Sequence, residues 1–319
     1  MRSLIVYPNA SMGGVASVIR GRAIASPAEE FDVVYFRDRG GLDAFGDLSN
    51  VRVVLSTHSR AANYITHLLR LRKYESVSFL SCPDVLEKVE MPDGLLATYE
   101  FHSSDTSVIS KELATLRRDK LAKIVVPSQA MAVVVSQLSA AEPMPVEVVP
   151  NLIDPGSFHR GDNSPAPDIT LPDNPLVWVG RFDKGKAYRA FIRLLSMTPE
   201  STHGIMVVSL ESEPERVAEA LGEAAMQGVA SRLTILSNMS QQFMGRLYRH
   251  AREHGGWLIS TSLLESFGYS VAEALACGLR VAAFDLPALR EHPDPNGLLR
   301  LADIGNVMEL AAAVRDDAK

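Results

Sequence analysis

Two glutamates, Glu265 and Glu273, stand eight positions apart in the stretch LLESFGYSVAEALACG. A helix through both would place the two carboxylates on one face, which is otherwise made of alanine and leucine. Burying two carboxylates without partners is costly. We therefore predict that Glu265 lies in a loop, together with Gly268. Glu273 then lies in the first turns of a helix that begins near Tyr269 or Ser270.

Such a loop suits a ligand that carries both phosphate and hydroxyl groups. Gly268 exposes backbone N–H groups, and the following helix N-terminus adds a partial positive charge, so an anion is favoured there. The two carboxylates repel phosphate but accept hydrogen bonds from hydroxyls. A nucleotide sugar has both kinds of group, and the loop is therefore predicted to bind one.

Two cations, Arg181 and Lys186, follow the apolar strand LVWVG in the segment RFDKGKAY. Open α/β sheets bind ligands at the carboxyl ends of their strands. Arg181 could neutralise a diphosphate through its fork of donors, and Lys186 could do so as a point charge. Solvated surface cations are the alternative interpretation.

The first half of the chain offers a glycine pair and two histidines after strands. Gly13 and Gly14 precede a helix, where the lack of side chains lets a phosphate approach backbone amides. They do not form a G-x-G-x-x-G fingerprint, and a structural turn is the alternative. His102 follows the strand LLATY and could bind a substrate hydroxyl or move a proton. His58 follows RVVLS, and a capping or packing role is the alternative for both histidines.

Several catalytic motifs are missing from the sequence. It contains no Asp-x-Asp pair for a diphosphate-bound divalent metal, no G-x-x-x-x-G-K-[ST] loop and no G-x-S-x-G elbow. These absences disfavour kinase and hydrolase functions.

Length and composition indicate a globular protein of two domains. The 319 residues suffice for two cores, and the net charge of −6 gives no overall field that favours nucleic acid or an anionic membrane. Cys82 and Cys277 are too few for a disulfide framework or a zinc site. The N-terminal run LIVY is too short for a signal peptide, and no apolar run reaches membrane-spanning length. We expect a cytoplasmic protein.

Runs rich in Val, Ile and Leu alternate with helical patterns, which predicts parallel strands buried on both faces. The predicted strands are SLIVY, DVVYF, RVVLS, SVSFL, LLATY, KIVVP, VEVVP, LVWVG, GIMVVS, RLTIL, GWLIS and RVAAF. The predicted helices span 14–25, 60–72, 104–118, 128–138, 186–197, 214–226 and 240–253, with another after Gly268. Ser128 is a predicted N-cap, and residues 161–175 have the composition of a linker. We therefore predict an α/β protein with two Rossmann-like domains, residues 1–160 and 176–319, that face a central cleft.

Taken together, these segments resemble the GT-B glycosyltransferases, specifically the retaining family 4, or glycosyl transferases group 1. ESFGYSVAE is similar to the family's E-x7-E signature, and ALACGLRVAAFDLPALRE resembles its continuation. VGRFDKGK is similar to VGRLxxxKG, and VVPNLIDPGSFHRG resembles the interdomain motif IPNGVDxxxF. GGV, ATYEFHSS and NGLLRLADIGNVMELAAAV are similar to the N-terminal glycine loop, the histidine segment and the terminal segment. The motifs follow the family order over nearly the whole chain.

The resemblance implies a role for each candidate residue of the second domain. Arg181 and Lys186 would hold the donor diphosphate. Glu273 would bind the ribose hydroxyls, and Glu265 would contact the donor sugar. The backbone amides that would assist are those around Phe267, Gly268 and Tyr269.

In the first domain, the resemblance implies that the Gly13–Gly14 loop approaches the donor phosphates, chiefly through Gly14. His102 would touch the sugar or the acceptor. Such enzymes need no metal, and no other cofactor is expected. The implied donor is a UDP-, GDP- or dTDP-sugar.

Four departures from the family pattern affect loops. Ala187 replaces the glycine after the motif lysine, and Leu152 replaces the glycine of PNG. Arg280 replaces the proline of GxPVV. Residues 209–214, SLESEP, stand where the family has a glycine-rich turn, which puts the nucleobase pocket in doubt.

The resulting hypothesis is transfer of a hexosyl or pentosyl group from a nucleotide sugar to an acceptor hydroxyl, with retention of configuration. Alternatives are a nucleotide-sugar epimerase or hydrolase of the same fold, and a non-catalytic sugar-nucleotide binding protein. The acceptor could be a small molecule, a glycan or a lipid-linked sugar, and a nucleic-acid acceptor stays open. Peripheral membrane contact is another possibility, against the alternative of solvated helix faces. The residues that could make this contact are Arg70, Arg72, Lys73, Arg117, Arg118 and Lys120.

Overall fold

The computed structural model describes residues 1–161, 171–209 and 214–316. The chain divides into two compact units, Met1–Leu152 (unit 1) and Ile153–Lys319 (unit 2). Most of the linker predicted over 161–175 lies outside the described residues, as does most of the 209–214 turn.

Unit 1 is built on a seven-stranded parallel sheet. Its strands are β1 (Arg2–Ala10), β2 (Glu30–Asp38), β3 (Val51–Leu55), β4 (Ser76–Leu80), β5 (Ala97–Glu100), β6 (Leu121–Val126) and β7 (Val146–Val148). Its α-helices are α1 (Gly14–Ala25), α2 (His58–Leu71), α3 (Pro83–Lys88), α4 (Thr106–Thr115) and α5 (Gln129–Leu138). The strand order is β3-β2-β1-β4-β5-β6-β7, and every pairing is parallel.

The residues of β2 explain why this segment forms a strand inside the sheet and not at its edge. Val33 and Tyr35 pack into the apolar cluster that contains α1, whereas Val34 and Phe36 pack on the other face with α2. Both faces are therefore buried, as a parallel sheet requires, and the strand reads as a continuous apolar run.

Polar caps set the starts of two helices in unit 1. Ser128 Oγ accepts a hydrogen bond from Met131 N at 3.2 Å, which confirms the predicted N-cap of α5. Asp105 caps α4 in the same way by accepting from Ser107 N at 2.9 Å. Helix α3 was not predicted because its six residues, which begin at Pro83, are too few to show a helical period.

Unit 2 repeats this architecture with six parallel strands. Its strands are β8 (Pro175–Gly180), β9 (His203–Val208), β10 (Leu233–Ser237), β11 (Trp257–Ser260), β12 (Arg280–Phe284) and β13 (Leu299–Ala302). Its α-helices are α6 (Tyr188–Ser196), α7 (Pro214–Met226), α8 (Gln241–Glu253), α9 (Tyr269–Ala276) and α10 (Val307–Asp316). The strand order is β10-β9-β8-β11-β12-β13.

Arg280, at the start of β12, has a local structural role that explains one departure from the family pattern. Its guanidinium carbon lies 4.6 Å from the centroid of the Trp257 ring, and its Nη2 donates to the carbonyl of Gly255 at 2.8 Å. A proline at this position could make neither contact.

In both units the strand order reverses beside the first strand, between β1 and β4 in unit 1 and between β8 and β11 in unit 2. This is the Rossmann arrangement, in which ligands bind at the carboxyl ends of the strands near the reversal. The predicted α/β class with two Rossmann-like units is confirmed. None of the helices in the described part of the chain is long and apolar enough to cross a membrane.

Candidate functional site

In unit 2, the loop between β8 and α6 carries the two predicted cations. Asp183 links them: its Oδ2 lies 3.0 Å from Arg181 Nε, and its Oδ1 accepts from the backbone N–H of Lys186 at 2.9 Å. Arg181 is more than half exposed, whereas Lys186 is largely covered. One carboxylate therefore fixes the loop and holds the guanidinium at its surface.

The loop between β11 and α9 brings Glu265 to the same place. Strands β8 and β11 are neighbours and run parallel, so the loops after them meet at one edge of the sheet. Lys186 Nζ contacts Glu265 Oε1 in an ion pair, and the Glu265 side chain is only 12% exposed. Two residues far apart in sequence thus form the centre of the candidate site.

Thr261 ties the two loops together. Its Oγ1 donates to the carbonyl of Lys186 at 2.9 Å and accepts from Trp178 Nε1 at 3.0 Å. The backbone N–H of Leu263 also donates to the carbonyl of Gly185 at 2.7 Å. These bonds fix the backbone on both sides of the Lys186–Glu265 pair.

Ala187 adopts a left-handed conformation, with φ 44° and ψ 47°, just before α6. An L-residue with a Cβ is strained in this region by about 1–2 kcal/mol, whereas glycine is not. The glycine that the family pattern has here would therefore fit without strain. Alanine at this position therefore carries a cost in stability that glycine would not.

Gly268 is required at the start of α9. Its φ is 84°, and a Cβ built on it would lie 2.3 Å from Leu289 Cδ2. Before it, the carbonyl oxygen of Phe267 accepts a hydrogen bond from His292 Nε2 at 2.6 Å, and the two rings pack edge to face. Burial lowers the pKa of His292, so the ring stays neutral near pH 7. The Phe267 ring also packs against Tyr269, so this turn is held from two sides.

Glu273 lies in the second turn of α9 and is 8% exposed. No residue in the described parts of the chain donates a hydrogen bond to its carboxyl group, and burial raises its pKa to about 8. A buried carboxyl group without a partner is costly to stability. It is suited to accept hydrogen bonds from ligand hydroxyls. The prediction that Glu265 lies in a loop and Glu273 in a helix is confirmed.

In unit 1, the glycine pair lies at the start of α1. Gly13 is the N-cap residue and makes no side-chain cap, and Gly14, the first helical residue, is exposed. The backbone amides of the first turn therefore open to the carboxyl edge of the sheet.

His102 follows β5 at the same edge of unit 1, and a buried ion pair holds it. His102 Nε2 lies 2.9 Å from Glu100 Oε2, and Arg22 donates to both oxygens of Glu100 at 2.9 and 2.7 Å. Burial of Glu100 opposes ionisation, but these hydrogen bonds outweigh it and lower its pKa. Because an ionised carboxylate only accepts, Nε2 carries the proton and the ring has one fixed orientation.

His58, the weaker candidate in unit 1, is at the surface. Its Nε2 lies 2.9 Å from Asp84 Oδ2, both side chains are about half exposed, and its ring packs against Phe36. This is a packing contact at the start of α2.

The structure thus groups the candidates by unit. Sequence reasoning missed Asp183, Thr261, His292, Glu100 and Arg22, all of which orient candidate residues. The candidates at one edge of unit 2 are Arg181, Lys186, Glu265, Phe267, Gly268, Tyr269 and Glu273. Those at the carboxyl edge of unit 1 are Gly13, Gly14 and His102.

The sequence of unit 2 matches a known family. Residues 173–316 match the family model described as Glycosyl transferases group 1. Two curated relatives are both named D-inositol 3-phosphate glycosyltransferase. That of Mycolicibacterium gilvum is 28% identical over 173 residues, which are 52% of this chain and 37% of the relative. That of Stackebrandtia nassauensis is 30% identical over 189 residues, 56% of this chain and 41% of the relative. The matches thus span about two fifths of the length of these relatives.

Solved structures resemble the whole chain. HepE from Anabaena, solved in complex with UDP-glucose, has a TM-score of 0.79 at 16% identity and covers 100% of this chain and 90% of its own. Sucrose-phosphate synthase from Thermosynechococcus elongatus has a TM-score of 0.76 at 16% identity, with the same coverage. WaaG, a glycosyltransferase involved in lipopolysaccharide biosynthesis, has a TM-score of 0.71 at 14% identity and covers 98% of this chain and 90% of its own.

The two Rossmann-like units and these neighbours define the fold as GT-B, a fold of glycosyltransferases. Residues 173–316 carry the match to the family Glycosyl transferases group 1, and the two named relatives are similar to about half of the chain. The fold class and the family resemblance predicted from the sequence motifs are confirmed.

Proposed function

We propose that this protein transfers a glycosyl group from a nucleoside-diphosphate sugar to an acceptor hydroxyl. The observation that carries this proposal is the edge of unit 2 at which Lys186 contacts Glu265 in the loop before α9, the helix that holds the buried Glu273, whose carboxyl group has no hydrogen-bond donor among the described residues. Cations and a helix N-terminus suit a diphosphate, and carboxyl groups suit sugar hydroxyls. The family match and the UDP-glucose complex of HepE support this chemistry.

In this proposal Arg181 and Lys186 bind the diphosphate. Both cations are already oriented by carboxylates, Arg181 by Asp183 and Lys186 by Glu265. Negative charge grows on the diphosphate as the glycosidic bond breaks, and fixed cations stabilise that charge most in the transition state. The amides around Phe267, Gly268 and Tyr269 add to this stabilisation.

The two glutamates bind the other parts of the donor. Glu273 accepts hydrogen bonds from the ribose hydroxyls, which gives its carboxyl group the partners that the described residues do not supply. Glu265, which pairs with the Lys186 ammonium group, contacts the donor sugar. The donor is a UDP-, GDP- or dTDP-sugar, and the transferred group is a hexose or a pentose.

Unit 1 contributes Gly14, with Gly13, near the donor phosphates and His102 near the sugar or acceptor. The Glu100–Arg22 pair holds the His102 ring in place, so the ring can contact a hydroxyl without reorganisation. We propose retention of configuration through attack on the same face, with the leaving phosphate taking the acceptor's proton. Neither a metal nor another cofactor takes part.

We propose a cytoplasmic enzyme whose acceptor is a small molecule, a glycan or a lipid-linked sugar. Two relatives are named for D-inositol 3-phosphate, which supports a small-molecule acceptor. A broad basic membrane surface has little support, because five of the six basic residues considered for it have local partners. Four pair with Glu90, Asp32, Asp119 and Glu142, and Lys120 donates to three backbone carbonyls.

The first experiment is a thermal-shift screen of UDP-, GDP- and dTDP-sugars, followed by turnover with the donor that binds. A ligand present at 100 times its Kd adds roughly 2.7 kcal/mol to the unfolding free energy. Arg181→Ala and Glu265→Ala should each lower turnover by about 100-fold or more while the melting temperature stays within a few degrees.

Two control variants match these substitutions. Arg189→Ala removes an arginine with the same side-chain exposure as Arg181, and Glu223→Ala removes a glutamate about as buried as Glu265. Both should keep near-normal turnover. The proposal is wrong if Arg181→Ala and Glu265→Ala retain normal transfer, or if donor is converted equally well without any acceptor.

A further inference from the structure

The arginines of unit 1 fall into two groups. Eight form ion pairs with carboxylates of the same unit, namely Arg2, Arg20, Arg22, Arg52, Arg70, Arg72, Arg117 and Arg118. The other three, Arg37, Arg39 and Arg60, are exposed, and their side chains have no ion-pair or hydrogen-bond partner among the residues that the structure describes. These three guanidinium groups are available to a ligand.

Arg37 and Arg39 lie next to the glycine loop. Arg37, near the end of β2, pairs in register with Asn9 of β1, and the backbone N–H of Arg39 donates to the carbonyl of Ala10 at 2.7 Å. The chain then continues from Ala10 through Ser11 to the glycine pair. Both arginines therefore lie at the carboxyl edge of the sheet, one strand away from the start of α1.

Arg60 comes to the same edge from the next strand. Arg60 is the third residue of α2, and α2 begins just after β3. Strand β3 pairs with β2, and paired strands lie about 4.8 Å apart. The backbone N–H of Ser56 donates to the carbonyl of Tyr35 at 2.8 Å, and the ring of His58 lies 5.5 Å from that of Phe36. The first turn of α2 thus packs against the end of β2, which carries Arg37.

The nearby carboxylates are fewer than these arginines. Asp38 keeps its negative charge while it accepts a hydrogen bond from the backbone N–H of Gly40 at 2.8 Å, and Asp84 lies 2.9 Å from His58 Nε2. Neither α1 nor α2 has an acidic residue in its first turn. The carboxyl edge around β2 and β3 is therefore locally positive, although the whole chain has a net charge of −6.

We propose that Arg37, Arg39 and Arg60 form a subsite for the phosphate of a small phosphorylated acceptor. Arginine matches phosphate better than other cations because its planar fork donates two parallel hydrogen bonds. A phosphomonoester carries nearly two negative charges near pH 7, which suits several guanidinium groups. That the ligand is the acceptor depends on the proposed glycosyltransferase function. The prediction that phosphate binds at this edge does not depend on it.

The test measures binding of inorganic phosphate and glucose 6-phosphate by titration calorimetry, with glucose as the uncharged comparison. The full chain carries Arg181→Gln and Lys186→Gln as a background, so that phosphate cannot bind to the donor-site cations. Adding Arg37→Gln and Arg39→Gln, or Arg60→Gln, should weaken phosphate binding about tenfold or more. Arg70→Gln with Arg117→Gln, two paired surface arginines of the same unit, should leave the Kd within about twofold.

Each other outcome overturns the proposal. It is wrong if the background protein binds neither probe, if it binds glucose as tightly as glucose 6-phosphate, or if the arginine variants retain the original affinity. A parallel experiment measures binding to vesicles that contain phosphatidic acid. Arginine-dependent binding to these vesicles, without binding of glucose 6-phosphate, would make the ligand a lipid headgroup instead. If no UDP-, GDP- or dTDP-sugar binds, that outcome contradicts the proposed glycosyltransferase function, whereas phosphate binding measured at the unit 1 arginines stays valid.

Discussion

His292 Nε2 donates a 2.6 Å hydrogen bond to the carbonyl oxygen of Phe267, and this bond anchors the loop that carries Glu265 to the segment after β12. The His292 ring also packs edge to face on Phe267. The bond lies one residue before Gly268, at the start of α9, and so controls where the first amides of that helix point.

Replacing His292 by leucine should therefore weaken donor binding. The Phe267 carbonyl is partly buried, so leaving it without a donor costs about 1 kcal/mol, and the loop shift should raise the donor KM about tenfold while kcat changes less. His292→Asn keeps an N–H donor and should restore part of the affinity. The measurements are donor KM and kcat for both variants.

A control variant separates positioning from general stability. His254→Leu removes a histidine at the end of α8, where it contacts Asp173, and should leave the donor KM unchanged. If His292→Leu lowered the melting temperature but kept the donor KM, His292 would be a packing residue with no influence on the site.

Glu273→Gln should stabilise the unliganded protein at alkaline pH. The pKa of Glu273 is about 8 in the folded state against an ordinary value of 4.5, so between these values the folded state holds a proton that the unfolded state has released. Stability therefore falls as pH rises from about 4.5 to 8, by up to about 1.4 kcal/mol per pH unit. Glutamine does not titrate and avoids this loss.

Urea unfolding at pH 5 and pH 8 measures the effect. The gain from Glu273→Gln should be small at pH 5 and reach a few kcal/mol at pH 8, whereas nucleotide binding should weaken because the ribose hydroxyls lose a carboxylate acceptor. Glu223→Gln is the control, since Glu223 is equally buried but its carboxyl group has partners in Gln227 and Arg193. An equal gain at both pH values would contradict the assigned burial effect.

Ala187→Gly should stabilise the protein by about 1 kcal/mol, because glycine adopts the left-handed conformation at this position without strain. The gain is limited by the greater freedom of glycine in the unfolded chain. Ala190→Gly, inside α6, should instead destabilise by about 1 kcal/mol. Denaturant unfolding compares the two, and a loss of stability in Ala187→Gly would show that the methyl group contributes more than the strain costs.

Local sequence features predicted most of the fold and part of the site. Short segments such as DVVYF, which are apolar on both faces, were predicted as buried strands. The prediction that Glu273 lies in a helix and Glu265 in a loop followed from the cost of placing two carboxylates on one apolar face. Helix α1 has the predicted bounds, and so does α7. These features depend on residues close together in the chain, so periodicity and capping rules reach them.

The orienting contacts could not be predicted in this way. Glu100 and Arg22 are 78 residues apart, and His292 lies 25 residues from Phe267. Such pairs depend on which loops the sheet order brings together, and one partner of the His292 bond is a backbone carbonyl that has no sequence signal. The adjacency of Glu100 and His102 at the end of β5 was the one local hint in unit 1.

The match to the family model over residues 173–316 falls within one of the two units, and each unit has a complete sheet and its own apolar clusters. Since, in the described residues, no strand of one sheet is borrowed from the other, the unit proposed to recognise the acceptor can change its surface side chains without disturbing the packing behind the proposed nucleotide-binding edge. A new substrate preference could therefore arise by a few exchanges near Arg37 and Arg60, with the chemistry of the donor half inherited unaltered.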